Sequence, residues 1–424
     1  MEWNARLWKN SVPQFIKFMT PLVASLGRSE RRRAATQYVE GLLMPGQRKS
    51  IEPMAARLGV DSQSLQQWVT SSPWSDEALW RAIRQEVIPH LEPLEAWVVD
   101  ETGWVKQGQH SVGVSHQYCG AVGKQANCQV TVEVAVTDGW VAAPIASRLY
   151  LPESWAADTA RRAEAGVPAE VRFQTKPELT LDLLRQAQAD GVPLAPILGD
   201  CVYGDSPGFR EGGRQLGMEF FLQVTPVHKA WTQPVVIEPK RTRYYAAPGV
   251  APAQSLAEIT RGFLPPQWKG CSWKAADGHT RRTRLAWCEV YLQHRLREGK
   301  GEREKVWLVV DWPAGETEPY HYYLAHLHRP PTRARCLKLS RSRWQVEQYL
   351  QRAKDDLGLD HYEGRSWRGF HHHLVLSSLA YLFILTQYLR TKKNFWCDVG
   401  TDPESDPAPA RESERTMQLL RNEI

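Results

Sequence analysis

The chain has 424 residues, a hydrophobic fraction of 42% and a formal net charge of +6. This hydrophobic content is ordinary for globular proteins and excludes wholesale disorder, and the length suggests two or three domains. The mild positive charge is by itself weak evidence for a nucleic-acid partner. The seven cysteines are dispersed without a CxxC pair, so we expect reduced thiols and neither a disulfide framework nor a zinc module.

The most apolar stretch, Leu374 to Leu389, is shorter than a bilayer span and includes Ser377 and Thr386. The first segment, MEWNARLWKNSVPQF, lacks the apolar run of a signal peptide. We therefore expect a buried core helix and a cytoplasmic protein that has no membrane partner.

Residues 1–92 predict a helical DNA-binding domain, because apolar positions recur at helical spacing. Within them, IEPMAARLGVDSQSLQQWV has the pattern of a helix, a turn around Gly59 and a second helix capped by Asp61 or Ser62. The pattern fits a helix-turn-helix, and a plain helical hairpin is the alternative. Basic residues that precede the segment favour DNA binding. They are Arg28, Arg31, Arg32, Arg33, Arg48 and Lys49.

Residues 93–225 predict the first part of an α/β core. Three strand patterns (AWVVD, HSVGVSHQYCG, NCQVTVEVAV) precede a helix at KPELTLDLLRQAQADG, a strand at APIL, a helix and a strand at MEFFLQV. The charged stretch LPESWAADTARRAEAGVP between them predicts a loop. Three strands followed by helix, strand, helix and strand form the opening of a ribonuclease-H-like fold.

The remaining chain predicts three further segments. Residues 226–304, rich in Pro, Arg and Trp, predict an inserted, mainly β subdomain. Residues 305–397 predict the second part of the ribonuclease-H-like core, with long helices at about 332–356 and 368–391. Residues 398–424 are acidic and Pro-rich, which is typical of a disordered tail. The predicted fold class is therefore α/β, with a ribonuclease-H-like catalytic core, an inserted β-rich subdomain and an N-terminal helical domain.

Three acidic residues stand out as candidate metal ligands. Asp100 and Asp200 each end a predicted apolar strand, where a strand-end turn residue is the ordinary alternative. Glu347 lies on a predicted helix with Arg343 and Lys354, and at about 100° per residue these three side chains share one face. A solvated charged face is the alternative, but the aromatic residues around Glu347 favour a cleft. Two-metal phosphoryl transfer requires such carboxylates, because Mg²⁺ and Mn²⁺ prefer hard oxygen ligands.

Long motifs from about residue 28 to residue 390 resemble the DDE transposases of bacterial insertion sequences, in the branch known as DDE superfamily endonucleases. The motifs are DETGWVKQGQHSVGVSHQYCGAVGKQANCQV, LPESW, TKPEL, GDCVYGDS and RWQVEQYLQRAKDDLGLDHYEGRSWRGFHHH. The resemblance implies a ribonuclease-H-like core in which Asp100, Asp200 and Glu347 bind two Mg²⁺ or Mn²⁺ ions. It also implies that Arg343 and Lys354 contact DNA phosphates.

The chain departs from related sequences at two positions. Hairpin-forming relatives have a tyrosine three residues before the arginine, where this chain has Ser340. The second aspartate normally follows an alanine, and here it follows Gly199. The first departure leaves the hairpin pathway open, and the second leaves the carboxylate in place.

Further candidate DNA contacts lie in a basic run that leads into the predicted catalytic helix. A solvated basic loop is the alternative. The run consists of Arg329, Arg333, Arg335, Lys338, Arg341 and Arg343. Lys106, close to Asp100, is a further candidate for a phosphate contact. Trp231, Trp268 and Trp273 could stack on an unpaired base. His371, His372 and His373 are consecutive and fan around a helix, so they cannot share one metal ion.

The leading hypothesis is a transposase that binds its element's terminal inverted repeats and joins the cut ends to target DNA, with double-stranded DNA and a second copy of the chain as partners. A domesticated, non-catalytic DNA-binding regulator is the alternative, and a ribonuclease-H-fold nuclease of repair or RNA is a third possibility. The retained acids disfavour the domesticated regulator. The insertion and the helical domain disfavour the repair nuclease.

Overall fold

The structure is a computed structural model, and it describes residues 5–91, 93–235, 237–240, 243–246, 249–275, 278–293 and 303–398, without side chains for 5–10, 237–240, 243–246 and 391–398. The predicted disordered tail, apart from its first residue, lies outside these ranges. Among the described residues no helix is both long enough and apolar enough to cross a membrane.

The structure contains helices and strands in roughly equal number. The helices are α1 Ala5–Val23, α2 Ser29–Leu43, α3 Ile51–Leu58, α4 Ser62–Ser71, α5 Asp76–Glu86, α6 Glu153–Ala157, α7 Thr159–Glu164, α8 Lys176–Ala189, α9 Cys201–Gly204, α10 Pro207–Gln215, α11 Leu256–Arg261, α12 Arg333–Ser342, α13 Trp344–Asp355 and α14 Trp367–Asp398. The strands are β1 Ala96–Val105, β2 Ser115–Cys119, β3 Lys124–Thr137, β4 Ala142–Leu149, β5 Ile197–Gly199, β6 Phe220–Val224, β7 Lys229–Trp231, β8 Ile237–Lys240, β9 Arg243–Ala246, β10 Gln254–Ser255, β11 Lys269–Lys274, β12 Thr280–Leu292, β13 Lys305–Pro313 and β14 His321–His326.

The chain divides into two compact units. The first unit comprises the described parts of Met1–Leu94, Asp100–Pro193 and Trp344–Ile424, and the second comprises those of Glu95–Val99 and Leu194–Arg343. Strand β1 contributes its first residues to the second unit and the rest, from Asp100 on, to the first. The five-segment division expected from the sequence stays a prediction.

The first unit packs helices around a small antiparallel sheet. Strand β3 pairs with β2 and β4 and neighbours β1. Helix α14 packs against α2, α4, α5 and β4. Residues 371–383 of α14 are all buried, which confirms the core helix predicted from the apolar run. Burial of these residues supplies most of the helix's stability, because isolated helices are marginal in water.

Helix α3, a turn at Gly59 and helix α4 lie at the predicted positions, and the choice between a helix-turn-helix and a plain helical hairpin stays a prediction. Gly59 ends α3 in the left-handed conformation (φ 67°), which glycine adopts without the steric cost of a Cβ. Asp61 then caps α4, its Oδ2 accepting a hydrogen bond from the Ser64 N–H at 2.6 Å. Leu65 and Val69 turn the apolar side of α4 inwards, where the helix packs against α3 and α14.

The second unit is built on a mixed sheet in the order β10-β7-β12-β13-β14-β6-β5-β1, with β11 paired to β12. Strand β5 runs parallel to β1 and β6, and the other pairs are antiparallel. The mixed α/β class predicted from the sequence is confirmed. Gly204 fits because a Cβ there would lie 1.9 Å from the Gln223 carbonyl oxygen, so no larger residue allows α9 to pack on β6.

Two local predictions were wrong. The stretch predicted as a loop, residues 151–168, contains α6 and α7. Trp155 is buried and donates Nε1–H to the Val114 carbonyl, and Asp158 caps α7. The single helix predicted at 332–356 is two helices that meet at Arg343. Ser340 and Ser342 donate their hydroxyls to carbonyls of the preceding turn, a competing hydrogen bond that often bends helices.

Candidate active site

Asp100 lies in the middle of β1 and not at its end, so the predicted strand boundary was wrong. The strand continues to Val105 because Trp104 is fully buried, and just beyond it the Lys106 N–H donates to the Asn127 carbonyl. Asp100 is half-buried, and its Oδ1 accepts a hydrogen bond from the Glu101 N–H at 2.8 Å. Its neighbour Glu101 pairs with Lys176, at the start of α8.

Asp200 follows β5 directly, which confirms the predicted strand end. It is half-buried and caps α9, with Oδ1 accepting a hydrogen bond from the Val202 N–H at 2.9 Å. The preceding glycine has a steric reason, because a Cβ on Gly199 would lie 2.8 Å from Cγ2 of Val99. A valine at position 99 and a glycine at position 199 are therefore complementary, and the carboxylate keeps its place.

Glu347 lies in the first turn of α13 and is half-buried, above the buried Val346, Tyr349 and Leu350. Arg343 stands between α12 and α13, and its predicted common face with Glu347 and Lys354 stays a prediction. Burial raises the pKa of the Cys201 thiol to about 11, the charges of Asp205 and Asp200 add to this, and Arg343 opposes it. Within the second unit, Arg343 and Asp200 therefore both lie close enough to Cys201 to influence the pKa of its thiol.

The two predicted lysine contacts hold backbone carbonyls. Lys354 donates from Nζ to the Gly103 carbonyl at 2.9 Å, and Lys106 donates to the Tyr362 carbonyl. Burial lowers the pKa of both ammonium groups. Both lysine side chains are half-buried, so each ammonium group is held by a carbonyl and its side chain is still partly exposed to solvent.

Glu133 is a buried acid beside the candidate site that the sequence analysis missed. It lies on β3 with 1% exposure, and its Oε1 accepts a hydrogen bond from the Ser147 hydroxyl at 2.6 Å. Burial raises the pKa of Glu133 to about 7, with Ser147 and Lys354 opposing and the charge of Asp100 adding to the rise. Asp100, Glu133 and Lys354 are thus close enough to interact electrostatically within the first unit. The signal in the sequence was a single acid within the strand pattern VTVEVAV.

Four residues of the basic run lie on α12, so the solvated-loop alternative was wrong for Arg333, Arg335, Lys338 and Arg341. Arg335 and Lys338 both pair with Glu95, which is 9% exposed, and the Lys338 contact is 2.6 Å. Arg341 pairs with the fully buried Asp311 at 2.8 Å. These three predicted DNA contacts therefore have acidic partners within the second unit. Their contact with DNA stays a prediction.

The tryptophans predicted as stacking candidates have partners in the fold. Trp231 is buried and donates Nε1–H to the Ala251 carbonyl, whereas Trp268 packs edge-on against Trp312. The Arg341 guanidinium lies 4.0 Å from the Trp273 ring centre. These contacts are those of packed side chains.

The three candidate ligands are divided between the two compact units. Asp100 and Glu347 belong to the first unit and Asp200 to the second. Within the residue ranges that the structure describes, no three or more His, Cys, Asp or Glu side chains are grouped so that they could hold a metal ion. The consecutive histidines instead contact carbonyls, hydroxyls and rings of the core. The three acids offer the oxygen donors that Mg²⁺ prefers, and their joint ligation stays a prediction.

Comparison with known proteins identifies the family. The sequence profile of the family described as DDE superfamily endonuclease matches residues 21–282, and the chain belongs to this family. The match includes Asp100 and Asp200 and ends before Glu347.

One curated relative is the "Probable transposase for insertion sequence element IS701" of Microchaete diplosiphon. It is 32% identical over 188 residues, which cover 43% of this chain and 46% of that protein. The chain thus spans about half the length of this relative. A solved piggyBac transposase synaptic complex with hairpin DNA has 8% identity and a TM-score of 0.43, covering 93% of this chain and 71% of that one.

Proposed function

We propose that the protein is an insertion-sequence transposase, which cuts DNA at the terminal inverted repeats of its element and joins the ends to target DNA. Membership of the DDE superfamily endonucleases across residues 21–282 carries this proposal. The curated transposase relative supports it.

Asp100, Asp200 and Glu347 are the proposed ligands of two divalent metal ions, Mg²⁺ or Mn²⁺. When bound, such ions activate the attacking oxygen and stabilise the leaving oxygen of an in-line displacement. Asp100 and Asp200 are half-buried, and each accepts one backbone hydrogen bond that fixes its carboxylate. Arg343, Lys354 and Lys106 are proposed to contact phosphate oxygens, together with the α12 residues Arg335, Lys338 and Arg341.

The core is proposed to be ribonuclease-H-like. Strand β1 supports this, because it runs parallel to β5 in the second unit and carries Asp100 into the first unit, where it neighbours the antiparallel β3. Double-stranded DNA is the proposed partner. Joint processing of two element ends implies at least two copies of the chain.

A cleavage assay tests the proposal. The purified chain with Mg²⁺ should nick DNA that carries its element's end, and Glu347→Gln should abolish cleavage while leaving DNA affinity within about twofold, because it removes a charge needed only for the metal. Glu211→Gln is the matched control, since Glu211 is exposed and its ion pair with Arg214 is long, at 3.5 Å. Undiminished cleavage by Glu347→Gln would remove Glu347 from the site, and metal-independent cleavage would refute the mechanism.

A further inference from the structure

Helix α4 exposes a row of uncharged amides. Gln63, Gln66 and Gln67 are exposed and lie at positions i, i+3 and i+4 of one helical face. Their side chains form no hydrogen bonds with other described residues. Solvated helix faces usually carry charged residues, whereas α4 has none between Ser62 and Ser71. The exposed face therefore has an unusual composition for a surface that contacts only water.

The buried face of α4 is fixed by aromatic stacking and by hydrogen-bond contacts with His372 of α14. The Trp68 and Trp74 rings stack at 5.2 Å, and Trp74 stacks on His372 of α14 at 3.4 Å. The two ring nitrogens of His372 lie 2.8 Å and 2.9 Å from the carbonyl oxygens of Val69 and Trp74. These contacts fix the C-terminal end of α4, while the Asp61 cap fixes its start. The glutamines are thus presented from a rigid element, as base recognition requires.

We propose that α4 is the base-reading helix of this protein and that Gln63 and Gln67, with Gln66, select adenine in the major groove. This inference rests on the proposed function only in taking duplex DNA as the partner. The glutamine NH2 group can donate to adenine N7 while the amide oxygen accepts from the N6 amino group. Arginine would favour guanine and an acid would favour cytosine, and α4 presents neither. The early positions of the second helix are those that contact base edges in helix-turn-helix proteins.

The charge that attracts DNA is supplied elsewhere. Arg28, Arg32 and Arg33, at the start of α2, are exposed, and no ion pair of theirs is recorded in the described part of the chain. Arginines bind phosphate without regard to sequence. Affinity and selectivity therefore come from different helices, and substitutions can separate them.

Selection from a duplex library with a randomised centre tests the inference with the full chain. The parent chain should enrich adenine at two or three fixed positions. A Gln63→Ala/Gln67→Ala variant should lose that preference by about tenfold for each contact, and its affinity for unselected duplex should stay unchanged. An Arg32→Ala/Arg33→Ala variant should bind selected and unselected duplexes more weakly than the parent chain, by the same factor for both.

Replacement of adenine by 7-deazaadenine in the selected duplex isolates the contact, because it deletes the N7 acceptor alone. The parent chain should bind the altered duplex more weakly, and the double glutamine variant should not distinguish the two duplexes. Gln63→Glu should shift selection from adenine towards cytosine. Unchanged selection by the double glutamine variant, or no selection by the parent chain, would overturn the inference. The proposed function would be judged separately, by metal-dependent cleavage.

Discussion

Arg341 donates a hydrogen bond from Nη2 to Oδ2 of Asp311 at 2.8 Å, and the Asp311 side chain is completely buried. The other carboxylate oxygen of Asp311 accepts a hydrogen bond from the Thr283 hydroxyl. A buried carboxylate is costly without a partner, so this pair ties α12 to the central strands β12 and β13. Arg341 thus has a structural task whether or not it also contacts DNA.

Arg341→Ala should lower the free energy of unfolding by about 3 kcal/mol, because it leaves the buried Asp311 charge without its cation. Lys338→Ala is the control. Its side chain is 58% exposed, so its removal should cost less than about 1 kcal/mol. Urea denaturation of the two variants measures the difference. Equal losses would show that Asp311 does not depend on Arg341.

Acid should destabilise the first unit through His373. Burial lowers the pKa of His373 to about 4, and the neutral ring lies between the Tyr38 hydroxyl and the Gly358 and Leu359 carbonyls. Between pH 6.5 and about pH 4, the unfolded chain binds a proton at His373 that the native chain does not bind. The free energy of unfolding therefore falls as the pH drops through this range. The urea midpoint measured from pH 7 to pH 4 should fall less steeply for His373→Asn than for the parent chain. An identical slope would exclude His373 as a cause.

Glu133→Gln should stabilise the chain at alkaline pH in the absence of divalent metal. The pKa of Glu133 is raised from 4.5 to about 7, so the native state binds its proton more tightly and loses stability as the pH rises through that range. A neutral amide avoids the buried charge and keeps a group that can bond to Ser147. Thermal denaturation at pH 6 and pH 8.5 should show the variant's advantage growing with pH. A constant difference would contradict the assignment.

Local features of the chain were largely predictable. Gly59 and Asp61 mark the end of α3 and the cap of α4, because left-handed glycine and N-cap aspartate act over one or two residues. The apolar run of α14 predicted its burial, because hydrophobic content can be read directly from the sequence. Asp200 was correctly placed because β5 is short and ends at Gly199.

The partners of charged residues were not predictable. Arg335 meets Glu95 across 240 positions of sequence, and only the folded sheet brings them together. The basic run therefore predicted DNA contacts where Arg335, Lys338 and Arg341 have acidic partners within the protein. Two serine hydroxyls bond to backbone carbonyls just before the break at Arg343, and Trp104 is buried where β1 extends past Asp100. Hydrophobic periodicity along the chain does not predict such contacts.

Metal rescue of cysteine variants tests the central proposal most directly, since it probes ligation by Asp100, Asp200 and Glu347 themselves. Each acid is replaced in turn by cysteine, and DNA cleavage is measured in Mg²⁺ and in Mn²⁺. A thiolate is a poor ligand for Mg²⁺ and a better one for Mn²⁺. The proposal predicts that all three variants lose cleavage in Mg²⁺ and regain a measurable part of it in Mn²⁺. Full cleavage in Mg²⁺ by any one of them would contradict its assignment as a metal ligand.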